Sequence, residues 1–153
     1  INLAMPLYWV NRVQDELNQN AKPLKGSAVL VLGVAYKRDV NDTRESPALD
    51  IIEELLTRGA RVTYHDPYVP IFTVGNDALY RPTLTLSSVG LTAEQLSATD
   101  CVVVVVGHTN VPYDMMVKEA ALIVDCCNAT AGFAPANGTK IVRLGAPGPW
   151  ADE

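Results

Sequence analysis

Neither of the glycine patterns that cradle phosphates occurs where this sequence would need one. A dinucleotide fingerprint requires G-x-G-x-x-G so that the backbone can approach a pyrophosphate, and a P-loop requires G-x-x-x-x-G-K-[ST]. After its first apolar run the chain offers Gly33 alone, so any phosphate bound there must be held by side chains. Basic charge is also scarce. Twelve Lys and Arg against seventeen Asp and Glu leave a net charge of -5, which excludes the dominating basic face of a nucleic-acid surface. No apolar run approaches the ~20 residues of a membrane span, and no basic start with an apolar core and cleavage site opens the chain. The sequence therefore reads as soluble, with neither nucleic acid nor membrane as partner. Cysteine is limited to three residues, an odd number in a chain large enough to fold without staples, so reduced thiols and a cytoplasmic setting are expected. There is no C-x-x-C pair. Adjacent Cys126-Cys127 cannot both serve a tetrahedral metal site without further ligands, and no metal site is expected.

What the chain does have is concentrated between Val29 and Pro47, VLVLGVAYKRDVNDTRESP. Val29, Leu30, Val31 and Leu32 suit a strand buried on both faces. Gly33 ends it, and Lys37, Arg38 and Arg44 follow among Asp39, Asn41 and Asp42. Ser46-Pro47 then signals a helix start, with Ser as N-cap and Pro in the first helical position. A strand, a basic loop and a helix N-terminus in succession point to an anion site, because ligands collect outside the carboxyl ends of strands in open α/β sheets. A solvated, charge-balanced loop would show the same composition.

Along the chain, Leu7, Val10, Val13 and Leu17 are spaced for an amphipathic helix over residues 1–20. That helix opens without a preceding cap, as if cut from something longer. AKPLKGS is a linker. Ala48, Ile51, Ile52, Leu55 and Leu56 form one helical stripe closed by Gly59 as a C-terminal cap. Arg61 to His65 reads as a second strand, completing a βαβ unit. Residues 70–88 read as a loop with a possible edge strand at TLTLSS. Thr92 with Gln95 fits a capping box for a short helix ending near Ser97. Cys101 to Val106 is a buried strand, Pro112 to Glu119 a helix, Ala121 to Val124 a strand and Lys140 to Leu144 a last one; the tail from Gly145 is expected to be flexible. Strands alternating with helices throughout give an α/β class with a mostly parallel sheet.

Single residues carry two readings each. Asp66, at the end of the second strand, stands where a ribose-binding acid would in a dinucleotide fold; without the partner glycines it reads as a turn residue before Pro67. His108 at a strand's carboxyl end could bind ligand or shuttle protons, although such a histidine usually hydrogen-bonds a neighbouring loop. Nothing supplies a base or a depressed pKa to the cysteines, which read as inert.

The segment GVAYKRDVNDTRESPALDIIEELLTRGARVTYHDPYVP resembles the carboxy-terminal, UDP-binding domain of the UDP-glucose/GDP-mannose dehydrogenase family. It follows that family's G-[hydrophobic]-A-[aromatic]-K, acidic-polar spacer, D-x-R-E-S-P-A, helix and Y-H-D-P-Y without a gap. Met5-Pro6 resembles the end of the family's central helical region, and Thr99 to Asn128 its later strands. The resemblance implies a Rossmann-like three-layer fold with helices on both faces of the sheet, preceded by one amino-terminal helix. It divides the chain into the end of a dimerisation helix and linker (1–25), a nucleotide-sugar domain (26–145) and a tail (146–153). It implies an NAD-dependent enzyme, taking part in polysaccharide biosynthesis, that oxidises the C6 alcohol of a UDP-sugar to a uronic acid through a thiohemiacetal on a cysteine. The wording around VNDTRESPALDIIEELL leans toward UDP-N-acetylhexosamines. The catalytic cysteine and the NAD motif belong to segments before residue 1, so no residue here is expected to be catalytic and the chain alone is expected to be inactive. Tyr36 and Lys37 match the pair that lies against the nucleotide sugar, and Arg44 matches the arginine that reaches toward NAD, bound mainly by an amino-terminal domain; a homodimer or higher homo-oligomer is implied for the full-length protein. Cys127 stands where relatives carry a substrate-contacting arginine. The alternative is a stand-alone nucleotide-binding or oligomerisation module without catalysis.

Overall fold

The computed structural model describes residues 4–75, 83–136 and 138–143. The elements in chain order are α1 (Ala4–Gln19), β1 (Ala28–Leu32), α2 (Pro47–Thr57), β2 (Arg61–His65), β3 (Ile71–Val74), β4 (Leu84–Ser87), α3 (Ala93–Ser97), β5 (Cys101–Val104), α4 (Tyr113–Glu119), β6 (Leu122–Asp125) and β7 (Lys140–Arg143). The expected tail from residue 145, the end of the last strand at Leu144 and the centre of the 70–88 stretch lie outside the described residues.

Five strands form one sheet in the order β2-β1-β5-β6-β7, and every pairing within it is parallel. Side chains of successive strand residues face opposite sides of a sheet. Val29 and Val31 accordingly join Cys101, Val103 and Val124 beneath α1 and α2, while Leu30 and Leu32 join Val102, Val104 and Ile123 beneath α3 and α4. Both faces are dry, which is why the strands read as continuous apolar runs rather than alternating ones. The result is the three-layer, Rossmann-like architecture with one helix in front.

Local signals set the element boundaries. Ser46 Oγ accepts the N–H of Ala48 at 3.2 Å, so Pro47 opens α2 without leaving that donor unmet. Gly59, at φ +87°, adopts the left-handed geometry that ends it. Thr92 Oγ1 caps α3 through Gln95 N–H at 3.0 Å. β5 stops two residues before the expected Val106, because the N–H groups of Val105 and Val106 both turn to the single carbonyl of Leu32, at 2.9 and 3.3 Å, and the ladder cannot continue.

Two expectations need correction. Leu7 is 42% exposed, whereas Trp9, Val10, Val13 and Leu17 form the buried face of α1 together with Arg12 and Glu16. At 3.6 residues per turn Leu7 lies about 140° round the helix from the centre of that face. In the 70–88 stretch the edge strand expected at TLTLSS is β4, and a strand that was not expected, β3, pairs antiparallel to it from Ile71↔Ser87 to Val74↔Leu84. The pair is tied to the main sheet by a parallel bridge between Tyr64 and Ser88. Phe72 and Val74 are buried by it, while Ile71 faces outward.

Candidate functional site

From β1 the chain runs through α2 to β2 on one side, and it later returns to place β5 on β1's other side. This reversal makes the carboxyl ends of β1 and β5 the switch point, where open α/β sheets receive ligands. The floor there is tight. A Cβ on Gly33 would lie 2.5 Å from the carbonyl oxygen of Val106, and its φ of +87° is likewise suited only to glycine.

Asp66 organises the loops above this floor. Its carboxylate is buried, and Oδ2 accepts the N–H groups of Val34 and Ala35 at 2.9 and 3.3 Å and the ring Nε2 of His108 at 2.8 Å. Oδ1 accepts the N–H of Tyr68 at 2.8 Å. The N–H of Gly33 is bonded to His65 O at 2.9 Å. The amides that would cradle a phosphate after a first strand are therefore already occupied by the protein's own carboxylate, and Asp66, buried with both oxygens engaged, is closed to a ribose. The helix N-terminus is spent too: Ala48 N–H goes to Ser46 Oγ and Leu49 N–H to Ser46 O, at 3.2 Å each. The α2 terminus thus contributes no free donors of the kind an anion site there requires.

His108 is fully buried. Its Nδ1 accepts the Asp39 N–H at 2.9 Å, which fixes the tautomer: Nε2 carries the proton and donates it to Asp66. The ring of Tyr68 lies 4.9 Å from the imidazole. Asp39 has a left-handed backbone, φ +61°, and its carboxylate accepts from Thr109 N–H at 2.8 Å and Thr109 Oγ1 at 2.7 Å. These bonds, the hydroxyl's first, hold the Asp39 carboxyl below the usual carboxylate range. His108 thus braces a neighbouring loop, one of the two roles the sequence allowed. Asp39 and Thr109 carry no motif that would have singled them out; the hint was an Asp in a loop, a residue that tolerates positive φ.

The three expected binding residues stand on the outer part of this loop. Tyr36 is 51% exposed, and with Asp42, Arg44 and Glu45 it lines a shallow depression of ≈ 310 Å³. That volume is at the small end of small-molecule sites and suits part of a ligand. A larger hollow of ≈ 390 Å³ between α2 and the β3–β4 pair is mainly apolar and is lined by Leu56, Val74 and Leu84 among others; none of the loop residues above lines it. Lys37 is exposed, outside the lining of the depression but next to Tyr36, and among the described residues it makes no hydrogen bond or ion pair. Arg44 is 87% exposed at its side chain. It is not free: Nε and Nη2 donate to Asp42 Oδ1 and Oδ2 at 3.0 and 2.8 Å. Arg44's donors hold the Asp42 carboxyl down at about 2. Arg38 is exposed, and its charge bears on Asp39, Tyr113 and Cys127.

The cysteines offer no nucleophile. Cys127 is an exposed residue, yet partial desolvation of its thiol, with Asp125 adding to the effect, pushes it up to about 12, and burial raises Cys126 and Cys101. Asp125 is buried and accepts from Cys127, Ala129 and Thr130 N–H and from Thr130 Oγ1. Arg143 donates to Thr130 O and Oγ1 at 3.1 Å, bracing the same turn. Among the described residues no cluster of His, Cys, Asp and Glu is arranged to hold a metal, and no helix is long and apolar enough to cross a membrane.

Comparison with known proteins places this geometry. The profile of the UDP-glucose/GDP-mannose dehydrogenase family, UDP binding domain, matches residues 30–132. UDP-N-acetyl-D-mannosamine dehydrogenase of Methanococcus maripaludis is 34% identical over 108 residues, 71% of this chain and 22% of that protein. UDP-glucose 6-dehydrogenase 2 of Arabidopsis thaliana is 41% identical over 61 residues, 40% of this chain and 12% of its own. Among solved structures, the UDP-D-ManNAc dehydrogenase of Pyrococcus horikoshii shares the fold with a TM-score of 0.70 at 23% identity, over 92% of this chain and 31% of that one. The NDP-N-acetyl-D-galactosaminuronic acid dehydrogenase of Methanosarcina mazei Go1 has a TM-score of 0.68 at 25% identity, over 96% and 30%. The chain thus spans less than a third of the length of these relatives. It belongs to the UDP-glucose/GDP-mannose dehydrogenase family, as that family's UDP-binding domain.

Proposed function

We propose that this chain is the substrate-holding part of an NAD-dependent nucleotide sugar 6-dehydrogenase, a cytoplasmic enzyme that converts the C6 alcohol of a UDP-sugar to a uronic acid for polysaccharide biosynthesis. In this reading residues 26–145 hold the nucleotide sugar, residues 1–25 continue a dimerisation helix, and residues 146–153 are a tail. A UDP-N-acetylhexosamine is the favoured substrate class, since the relative matched over 108 residues acts, by its name, on UDP-N-acetyl-D-mannosamine. An amino-terminal NAD domain of the same protein and a second protomer are the partners.

The observation that carries the reading is the division of labour at the switch point. Backbone donors are consumed inside by Asp66, while Lys37, next to Tyr36 in the chain, is exposed and makes no hydrogen bond or ion pair among the described residues. A lysine ammonium is apt for a diphosphate or a sugar hydroxyl, and a charge-assisted hydrogen bond contributes ~1.5–3 kcal/mol. Tyr36 supplies a flat apolar face with a polar tip.

The residues here do not form a cradle for NAD, because the amides after β1 are saturated and Asp66 has no free oxygen for a ribose. Arg44 is this chain's proposed contribution to NAD, its planar fork suiting a phosphate or carbonyl held across a cleft. No residue of the chain is proposed as catalytic.

Calorimetric titration with UDP tests the reading. The chain should bind UDP, and Lys37→Ala should weaken binding at least about tenfold, the equivalent of one charge-assisted bond. Lys118→Ala, an exposed lysine of α4, should change it little. Equal affinities of the two variants would remove Lys37 from the site.

A further inference from the structure

One oxygen atom holds two separate points of the ligand-facing loop. Asp66 Oδ2 takes the amides of Val34 and Ala35 directly. Through His108 it also governs Asp39, since Nε2 lies 2.8 Å from Oδ2 and Nδ1 accepts Asp39 N–H at 2.9 Å. The segment Tyr36-Lys37-Arg38 is the short span between those two anchors. Asp39 sits at φ +61°, a conformation unfavourable for a residue with a Cβ that persists only where surrounding bonds over-determine it. Here those bonds are the His108 ring on its N–H and Thr109 on its carboxylate. The imidazole is sealed from solvent, with Tyr68 against it and its own carbonyl accepting from Tyr113 Oη at 2.6 Å. An aliphatic side chain could fill this space but could not accept from one end and donate at the other.

We propose that His108 is a positioning residue for nucleotide-sugar recognition: held in its Nε2–H form by Asp66, it fixes Asp39 and thereby the placement of Tyr36 and Lys37. It touches no ligand. The inference rests on the reading in which Tyr36 and Lys37 face the nucleotide sugar, and it adds that their placement depends on a buried histidine of a different strand's loop.

The test uses the 153-residue chain with UDP as probe and three variants. His108→Leu removes both hydrogen bonds. His108→Gln restores a carbonyl acceptor and an amide donor. Asp39→Ala keeps a Cβ at that φ, removes the carboxylate anchor from an exposed residue and leaves the fold's core untouched, so it carries the test if His108→Leu does not fold. His108→Leu and Asp39→Ala should each weaken UDP binding about tenfold, the loss expected for an unmade anchoring bond, and His108→Gln should recover most of it. Long-range proton–nitrogen correlation should show the Nε2–H tautomer, and the Asp39 amide should exchange slowly in the wild type and much faster in His108→Leu. UDP binding unchanged in both His108→Leu and Asp39→Ala, or an Nδ1–H tautomer, overturns the positioning role while leaving the nucleotide-sugar reading intact. A wild-type chain that does not bind UDP removes that reading and this inference with it, even where the tautomer and the exchange rates come out as described.

Discussion

Arg44 and Asp42 show how a residue can be marked by sequence and yet be found in an unforeseen state. The D-x-R spacing placed Arg44 on the loop, but not the return of its guanidinium onto the acid two positions earlier, with Nε and Nη2 on the two carboxylate oxygens. The pair makes a definite pH prediction. A carboxyl whose folded pKa lies below its unfolded value stabilises the fold above the unfolded value and loses that contribution as pH falls. For Asp42 the window runs from 3.8 down to about 2. Its carboxyl carbon, followed by NMR through acid, should titrate near the lower limit in the wild type and higher in Arg44→Ala, though short of the upper limit because the N–H of residue 44 still donates to Oδ1 at 3.0 Å; the same midpoint in both would show that the fork is open in solution. The other residues of the loop were legible to differing depths. Gly33 and Ser46 could be read from type and spacing, whereas Asp66, a turn residue as read with Oδ1 on Tyr68 N–H, is also a buried acceptor for Val34, Ala35 and His108. Its partners lie on loops far apart in sequence, and no local pattern encodes that they meet.

At the scale of elements, periodicity was sufficient where an element was long or bounded by punctuation. β2 begins and ends at the expected Arg61 and His65, and α2 follows its Ser-Pro start. The β3 strand was not foreseen because four residues, IFTV, hold only two inward positions. In α1 the buried face includes Arg12 and Glu16, which an apolar stripe cannot reveal. Glu16 Oε2 meets Arg12 Nε at 3.2 Å, and Lys140 Nζ of β7 approaches Oε1 at 2.6 Å, an ionic contact off the angle of a hydrogen bond. This pair ties the leading helix to the far edge of the sheet. Breaking a wholly buried pair costs about 3–5 kcal/mol, but Lys140 is 55% exposed and Arg12 keeps the other oxygen. Lys140→Ala should therefore cost only about 1 kcal/mol, towards the surface-pair limit. In urea it should lower the midpoint at unchanged slope, while Lys118→Ala should leave it in place. Equal midpoints would mean that Glu16 is satisfied without β7.

At the scale of the whole molecule, the order of strands could not be read from sequence, since parallel neighbours are joined through crossovers that leave no trace in spacing. The class could be read. The sheet order adds a physical reason for proposing a site at the first strand's carboxyl end: the strand order reverses between β2 and β5 there. It also shows what this domain is not built to do. The turn after β1 is closed on Asp66 and wedged on Val106, so a dinucleotide finds no amides to bind. Cys101 and Cys126 are pushed upward by burial and Cys127 by partial desolvation beside Asp125, so none is a ready thiolate at neutral pH. In the proposed reading this domain grips one end of a nucleotide sugar, and oxidant and nucleophile come from the amino-terminal domains. The purified chain should therefore bind UDP and form no NADH from NAD with any UDP-sugar, whereas the same chain joined to the proposed amino-terminal domains should bind UDP and form NADH. Reduction of NAD by the isolated chain would mean that a hydride acceptor site exists within these residues, and the division of roles proposed here would have to be abandoned.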